Sequence, residues 1–374
     1  MLKEIQIKMK KLTIIIFFAL TSNIIDAQTI DTLIDVGNGH RLHFTIIKGK
    51  NPPILFEAGF GNYGDVWKNI TTKIAAATSA TIITYDRLSN GDDKKNYLIS
   101  LEEETKSLEA GLDKLGYSKK GMMLVAHSLG GMYSSYYASR HPNDVKAAVF
   151  IDAASVCSLD LDPEHLKLVE HDTIEQFIAQ IVKGVAKSPM PKTIPMTDIV
   201  AEIHYDELGG LDTLWLSCHK QFVAESVMRK SLLAFNVGHS IYTENPALVI
   251  NIIITQYASF VVPAQKVNIL EKAYKLSLDM DNENKKNEVK CGQSEQDLTT
   301  WGYSYLEKNE IEKAIEVFKL NVTMYPDGWN TYDCLGEAFL KAGNIAEAIK
   351  NYKKSLELNP KNENATKILA RINK

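Results

Sequence analysis

The sequence predicts an α/β fold, a mostly parallel sheet covered by helices on both faces, with a helical cap and a small all-α module at the carboxyl end. Three observations carry this reading. Short apolar runs of strand character alternate with amphipathic helical stretches from about residue 31 to residue 260, the order that builds parallel sheets. One of these runs, MMLVAHSLGG from Met122 to Gly131, reads as strand, sharp turn and helix. Near the carboxyl end, Gly302 and Gly336, Ala314 and Ala348, Phe318 and Tyr352, and Pro326 and Pro360 all recur 34 residues apart.

Taken in order, the chain begins with Lys3, Lys8, Lys10 and Lys11 ahead of the apolar run Leu12 to Leu20, then TSNIIDAQ. That is the layout of a secretory signal peptide cleaved after Ala27, and the run is too short to span a bilayer well. Residues 31–37 and 41–49 alternate like two strands around a Gly-Asn-Gly turn. Pro52 to Trp67 gives a buried strand ending in a glycine-rich loop, with a helix from Asp65 onward, and Thr81 to Arg87 gives the next strand. Leu101, Leu108, Leu112 and Leu115 mark a helix leading to the central strand and Ser128, and Ala147 to Ala153 is another buried strand.

Residues 158–191 interrupt the alternation with an amphipathic helical stretch, expected to form the cap. Its His165 and His171 lack an H-E-x-x-H spacing and read as surface histidines rather than metal ligands. Strand character returns weakly in Met196 to Ile203, and a helix follows. A short strand then leads to a loop bearing His239, and the apolar helix of Glu244 to Phe260 closes the unit. The charged stretch 264–294 reads as a linker or a loosely held helix. The expected organisation is a signal peptide at 1–27, an α/β domain at 28–263, the linker at 264–294 and helical repeats at 295–374. The periodic pairs resemble two tetratricopeptide repeats with a capping helix; two are fewer than usually stand alone, so docking on the first domain is expected.

At 374 residues two domains are expected, and a formal net charge of -4 gives no electrostatic case for nucleic acid or an anionic membrane. The cysteines Cys157, Cys218, Cys291 and Cys334 are far apart with no metal-ligand spacing, and free buried thiols are expected.

The chemistry is expected at the carboxyl edge of the sheet, where Ser128 sits in its turn. A serine there also reads as a helix N-cap, and the surrounding residues decide between the two. A serine hydroxyl needs a base, and His239, in a loop after a strand end, has the best setting of the histidines; His127 adjoins the serine and is expected to point away from it. His40, His43, His204 and His219 have no comparable setting. A developing oxyanion needs preorganised N–H donors, for which Leu129 and Phe60, the latter within Ala58-Gly59-Phe60-Gly61, are the candidates.

From Asp31 to Phe260 the chain resembles the α/β-hydrolase fold family of serine esterases and lipases. The resemblance rests on FEAGFGNYGDVW as oxyanion loop, TYDRLSNGDD, LVAHSLGG as nucleophile elbow, AAVFIDA, and GHSIYTENPALV as histidine loop. It implies Ser128 as nucleophile, His239 as base, and Phe60 and Leu129 as oxyanion donors. Two positions depart from the family pattern: Ala126 replaces the first elbow glycine, and Ala58 stands where many relatives carry histidine. Relatives place the acid in one of two positions, which here are Asp152, after the strand following the nucleophile helix, and Asp206, after the later strand; Asp152 is favoured.

The expectation is an exported serine hydrolase acting on a small-molecule acyl ester through an acyl-enzyme, with no metal or cofactor and no stable membrane span once the signal is removed. The same constellation serves peptidases and acyltransferases. A reading from another class is a binding protein whose repeats contact a peptide or protein, with the hydrolase fold as an inert platform.

Overall fold

A computed structural model describes residues 29–89, 99–159, 174–202, 213–234, 237–286, 295–307 and 309–372. Eight strands form one sheet: β1 (Thr29–Gly37), β2 (His40–Ile47), β3 (Asn51–Glu57), β4 (Ala80–Asp86), β5 (Met122–His127), β6 (Val145–Ile151), β7 (Met196–Ala201) and β8 (Arg229–Ala234). Their order is β1-β2-β4-β3-β5-β6-β7-β8. β2 runs antiparallel to β1 and β4, and the remaining neighbours are parallel. This is the α/β-hydrolase fold expected from the sequence, with β5 and the serine turn near the middle of the sheet.

Among the described residues, the α-helices of this domain are α1 (Lys68–Thr78), α2 (Leu101–Lys114), α3 (Gly130–Arg140), α4 (Ile174–Lys187), α5 (Thr213–Ala224), the short α6 (Ile241–Glu244) and α7 (Pro246–Ala258). Strand side chains alternate between two buried layers, as a period of two requires. Ile54, Phe56, Met123, Val125, Val149 and Ile151 face one layer with residues of α1 and α7. Leu55, Leu124, Ala126, Ala148 and Phe150 face the other with residues of α2 and α3. Burying both faces explains why these strands read as unbroken apolar runs.

The charged stretch expected as a linker or loose helix contains a long helix, α8 (Pro263–Lys286). Ile269, Ala273 and Met280 are buried in the same cluster as α7, and Ser277 Oγ donates to Asn251 Oδ1 at 2.6 Å. Leu270 and Leu276 pack against the same cluster, so one face docks while charged residues dominate the rest of the helix. α7 is apolar all round because the sheet covers one side of it and α8 another.

The carboxyl-terminal module is α9 (Glu295–Glu307), α10 (Ile311–Met324), α11 (Trp329–Lys341), α12 (Ile345–Leu358) and α13 (Glu363–Ile372). Its periodicity has a packing cause. A methyl group on Gly302 would lie 2.3 Å from the Phe318 ring, and one on Gly336 would lie 3.2 Å from the Tyr352 ring, so each glycine admits its partner aromatic. Val317, Leu320, Met324 and Tyr325 join the buried cluster of α7 and β8, so the repeats dock on the first domain.

The free-thiol expectation is corrected for one pair. Cys157 and Cys218, 61 residues apart with Cα atoms at 5.5 Å, form a disulfide, while Cys334 is buried and free. The pairing has no spacing signature because the fold, not the local chain, brings the two together. The expected signal peptide, Asp206, His165, His171, His204 and Cys291 lie outside the described residues. Among the described residues no helix is long and apolar enough to cross a membrane, and no group of three or more His, Cys, Asp and Glu side chains could hold a metal.

Candidate active site

Ser128 follows β5 with φ of 51°, left-handed backbone that a residue with a Cβ rarely adopts. Such a conformation costs on the order of 1–3 kcal/mol and persists where surrounding contacts impose it. Here they do: the Ser128 carbonyl accepts from Gly131 N at 2.9 Å and from Ala154 N at 2.8 Å. Gly130 is required by its neighbours, since a Cβ there would lie 2.6 Å from the Ala58 carbonyl oxygen and 2.7 Å from that of Glu57. The N-cap position of α3 is Leu129, and no side chain caps the helix, so the bland reading of Ser128 as an N-cap does not describe this turn.

His239 sits in the loop after β8, and its Nδ1 is 2.7 Å from Asp152 Oδ2. Asp152 follows β6, is fully buried, and its other oxygen accepts from Ala201 N at 3.0 Å and Trp215 Nε1 at 2.9 Å. Donors on both oxygens suit a carboxylate. The Trp215 ring also stands edge-on to the His239 ring, with centroids 5.9 Å apart. The structure thus joins Asp152 and His239, while the alternative acid, Asp206, lies outside the described residues.

His127, expected to point away from the serine, packs against the histidine loop. Its Nε2 donates to the His239 carbonyl oxygen at 3.0 Å, and the two rings lie 4.6 Å apart. Burial, aided by the nearby charge of His239, holds the His127 imidazole down at about 4, so it is neutral near pH 7. Glu244 braces the same loop by accepting from Gly238 N at 2.8 Å.

The glycine-rich loop after β3 lies against the serine: a Cβ on Gly59 would be 3.1 Å from Ser128 Cβ and 2.9 Å from His127 Nδ1. Leu129, at the amino end of α3, is buried, and Phe60 is 38% exposed. The Phe60 ring lies 6.3 Å from Phe177 of the cap helix α4. Leu129, Met132, Tyr133, Phe177, Ile181 and Trp215 form one apolar cluster beside the serine turn.

Sequence reasoning missed the residues that hold this arrangement. Arg87, fully buried after β4, donates to the carbonyl oxygens of Ala58 at 2.5 Å and Gly59 at 2.6 Å and pairs with buried Glu57. Glu104 of α2 accepts from Leu88 N and Ser89 N at 2.8 and 2.9 Å. Trp215 and His219 were equally unforeseen as neighbours of Asp152; Arg87 stands in the TYDRLSNGDD segment but carries no mark of the loop it holds, and a tryptophan on an amphipathic helix carries no local mark of such a role.

Comparison with known proteins agrees with the fold. Residues 52–188 match the family model of the alpha/beta hydrolase fold, and residues 334–362 match that of the tetratricopeptide repeat. The protein therefore joins an α/β-hydrolase-fold domain to a tetratricopeptide repeat module. It is 28% identical over 133 residues to a cis-3-alkyl-4-alkyloxetan-2-one decarboxylase of Shewanella oneidensis, a match covering 35% of this chain and 41% of that protein. The match thus spans less than half the length of that relative. It is 23% identical over 205 residues to the uncharacterized protein YqjL of Bacillus subtilis, covering 52% and 79% respectively. Among solved structures, alpha/beta hydrolase domain-containing protein 10 from mouse aligns with a TM-score of 0.47 at 17% identity, over 67% of this chain and 99% of that one.

Proposed function

We propose that this chain is an exported serine hydrolase that cleaves ester-like bonds through an acyl-enzyme. Ser128 Oγ attacks the acyl carbon while His239 Nε2 takes the hydroxyl proton, and the Phe60 and Leu129 N–H groups hold the oxyanion. The tetrahedral intermediate expels the alcohol, which receives that proton from His239. Water then repeats the sequence on the acyl-enzyme and restores Ser128. Asp152 keeps the His239 Nδ1 proton in place and stabilises the imidazolium formed in each half-reaction.

The observation that carries this reading is the 2.7 Å bond between His239 and a fully buried aspartate, next to a serine held at positive φ. The apolar cluster of Leu129, Met132, Phe177 and Trp215 favours an apolar acyl group, and the proposal commits to no narrower substrate. Export is supported by the lysine-rich, then apolar, amino end and by the Cys157–Cys218 disulfide, a bond that persists in oxidising compartments.

A fluorophosphonate probe tests the reading without knowledge of the substrate. Purified protein is expected to label, Ser128→Ala to lose labelling entirely, and His239→Gln to label at least a hundredfold more slowly, with p-nitrophenyl esters of graded chain length then ranking the acyl group. Folded wild-type protein that takes up no label at any pH would favour the inert platform serving the repeats.

A further inference from the structure

Behind the Asp152–His239 pair stands a second imidazole–carboxylate pair that the mechanism above does not use. His219 on α5 is almost fully buried, and its Nδ1 is 2.7 Å from Oδ2 of Asp198, a buried residue of β7. The other ring nitrogen, Nε2, has no hydrogen-bond partner among the described residues and faces Asp152 Oδ1 across 3.9 Å. One imidazole ring therefore lies between two buried aspartates.

The protonation state follows from the geometry. A neutral ring with its proton on Nδ1 satisfies Asp198 but turns the Nε2 lone pair toward the Asp152 carboxylate. With the proton on Nε2 instead, a lone pair meets Asp198 at 2.7 Å, which demands a protonated aspartic acid there. Only the imidazolium offers a proton to each neighbour. Two buried carboxylates without a cation between them would also repel through a medium that screens poorly.

We propose that His219, held by Asp198, is a positioning residue for Asp152: a buried cation that keeps the acid anionic and its Oδ1 turned inward, leaving Oδ2 aimed at His239. The proposal rests on the catalytic reading given above. Burial opposes the charge on His219, but the charge and hydrogen bond of Asp198, followed by the charge of Asp152, outweigh it and raise the imidazole above its ordinary value. Among the described residues, the groups that face the ring are Asp198 from β7, Asp152 from the loop after β6, and Trp215 from its own helix, with ring centroids 5.3 Å apart. Arg229 on β8 acts on Asp198 from farther off, its guanidinium already donating to the carbonyl oxygens of Phe222 and Met190 and to Glu225. The neighbouring Cys218 is tied to Cys157, which fixes the helix that carries the ring.

The sign of the effect is set by charge. Removing a cation beside Asp152 makes its anion harder to hold and makes a cation at His239 easier to form, and both move the acid limb of activity to higher pH. An opposite charge at this range typically shifts a titration by about 1–3 units.

The test measures the second-order rate of fluorophosphonate labelling from pH 5 to 9 in the full chain, for wild type, His219→Gln, Asp198→Asn and the double variant. The expected result is an acid limb raised by about one unit or more in H219Q, a smaller shift in the same direction in D198N, and a double variant matching H219Q. Labelling is to fall more at pH 6 than at pH 9. Imidazole 15N spectra of the wild type, with the His219 signal assigned by its loss in H219Q, are expected to show an imidazolium at pH 7.5. Superimposable acid limbs, with labelling reduced equally at every pH, would reduce His219 to a packing role, and a neutral ring in the 15N spectrum would overturn the proposal outright. If H219Q does not fold, D198N, which nearly preserves side-chain shape, carries the same comparison. Wild type that never labels refutes the hydrolase reading instead, and the 15N spectrum still decides the charge at His219.

Discussion

Arg87 reaches Gly59 across 28 residues of chain, its guanidinium donating to the Gly59 carbonyl oxygen at 2.6 Å while also bonding Ala58 and Glu57. The loop expected to supply the Phe60 N–H is therefore held from beneath by a buried, permanently charged fork. Arg87→Met is expected to slow fluorophosphonate labelling by about a hundredfold, the scale of a misplacement of about 1 Å at a reacting centre. It should also cost about 3–5 kcal/mol, because Glu57 is left buried without its partner. Adding Glu57→Gln should return part of the stability and none of the rate, measured as urea midpoints beside labelling rates. A double variant that regains labelling would show the loop to be positioned by something other than Arg87.

Trp215 Nε1 and Asp152 Oδ1, 2.9 Å apart, make a testable pair of their own. Trp215→Phe keeps most of the ring against His239 and removes only the donor. A hydrogen bond to a charged group contributes about 1.5–3 kcal/mol, so the variant is expected to unfold at lower urea and to label about tenfold more slowly. Trp215→Phe with wild-type labelling would mean that Ala201 N, His219 and His239 suffice to orient the acid.

The architecture was legible where the signal is local, and illegible where it is not. Apolar runs separated by helical periods gave the strands, and the 34-residue recurrence of Gly302 with Gly336 and Phe318 with Tyr352 gave the repeats, because each glycine sits under its own aromatic. The positions of Ser128, Asp152 and His239 after the ends of β5, β6 and β8 were readable because apolar runs precede them. Arg87, Trp215 and His219 were not, since their partners at Gly59, Asp152 and Asp198 come from separate elements that only the folded sheet brings together. The docking of α8 was hidden for a different reason: Ile269, Ala273 and Met280 are outnumbered by the charged residues that share their helix.

The Cys157–Cys218 bridge closes a loop that contains α4, β7 and the part of α5 bearing Trp215. With a separation of 61 residues, restriction of the unfolded chain contributes about 4 kcal/mol in the loop-entropy picture. Reduction by dithiothreitol, or Cys157→Ser with Cys218→Ser, is expected to lower the melting temperature by several degrees and to slow labelling through looser support of Asp152. Equal melting curves for oxidised and reduced protein would remove the bridge from any account of stability.

His127 gives the fold a defined sensitivity to acid. Its imidazole is lowered from 6.5 to about 4 by burial and by the charge of His239, so the folded chain resists a proton that the unfolded chain accepts. The sign is then fixed: above pH 6.5 both states are neutral at this residue and it adds no pH dependence. As the pH falls from 6.5 toward 4 the unfolded state gains stability relative to the folded one, by about 3 kcal/mol at the limit. His127→Gln can still donate to the His239 carbonyl oxygen but cannot titrate. Urea midpoints between pH 7.5 and 4 are expected to fall more steeply for wild type than for H127Q, with the variant the weaker protein at neutral pH and the gap narrowing in acid. Parallel curves across that range would mean that the ring is protonated in both states or in neither.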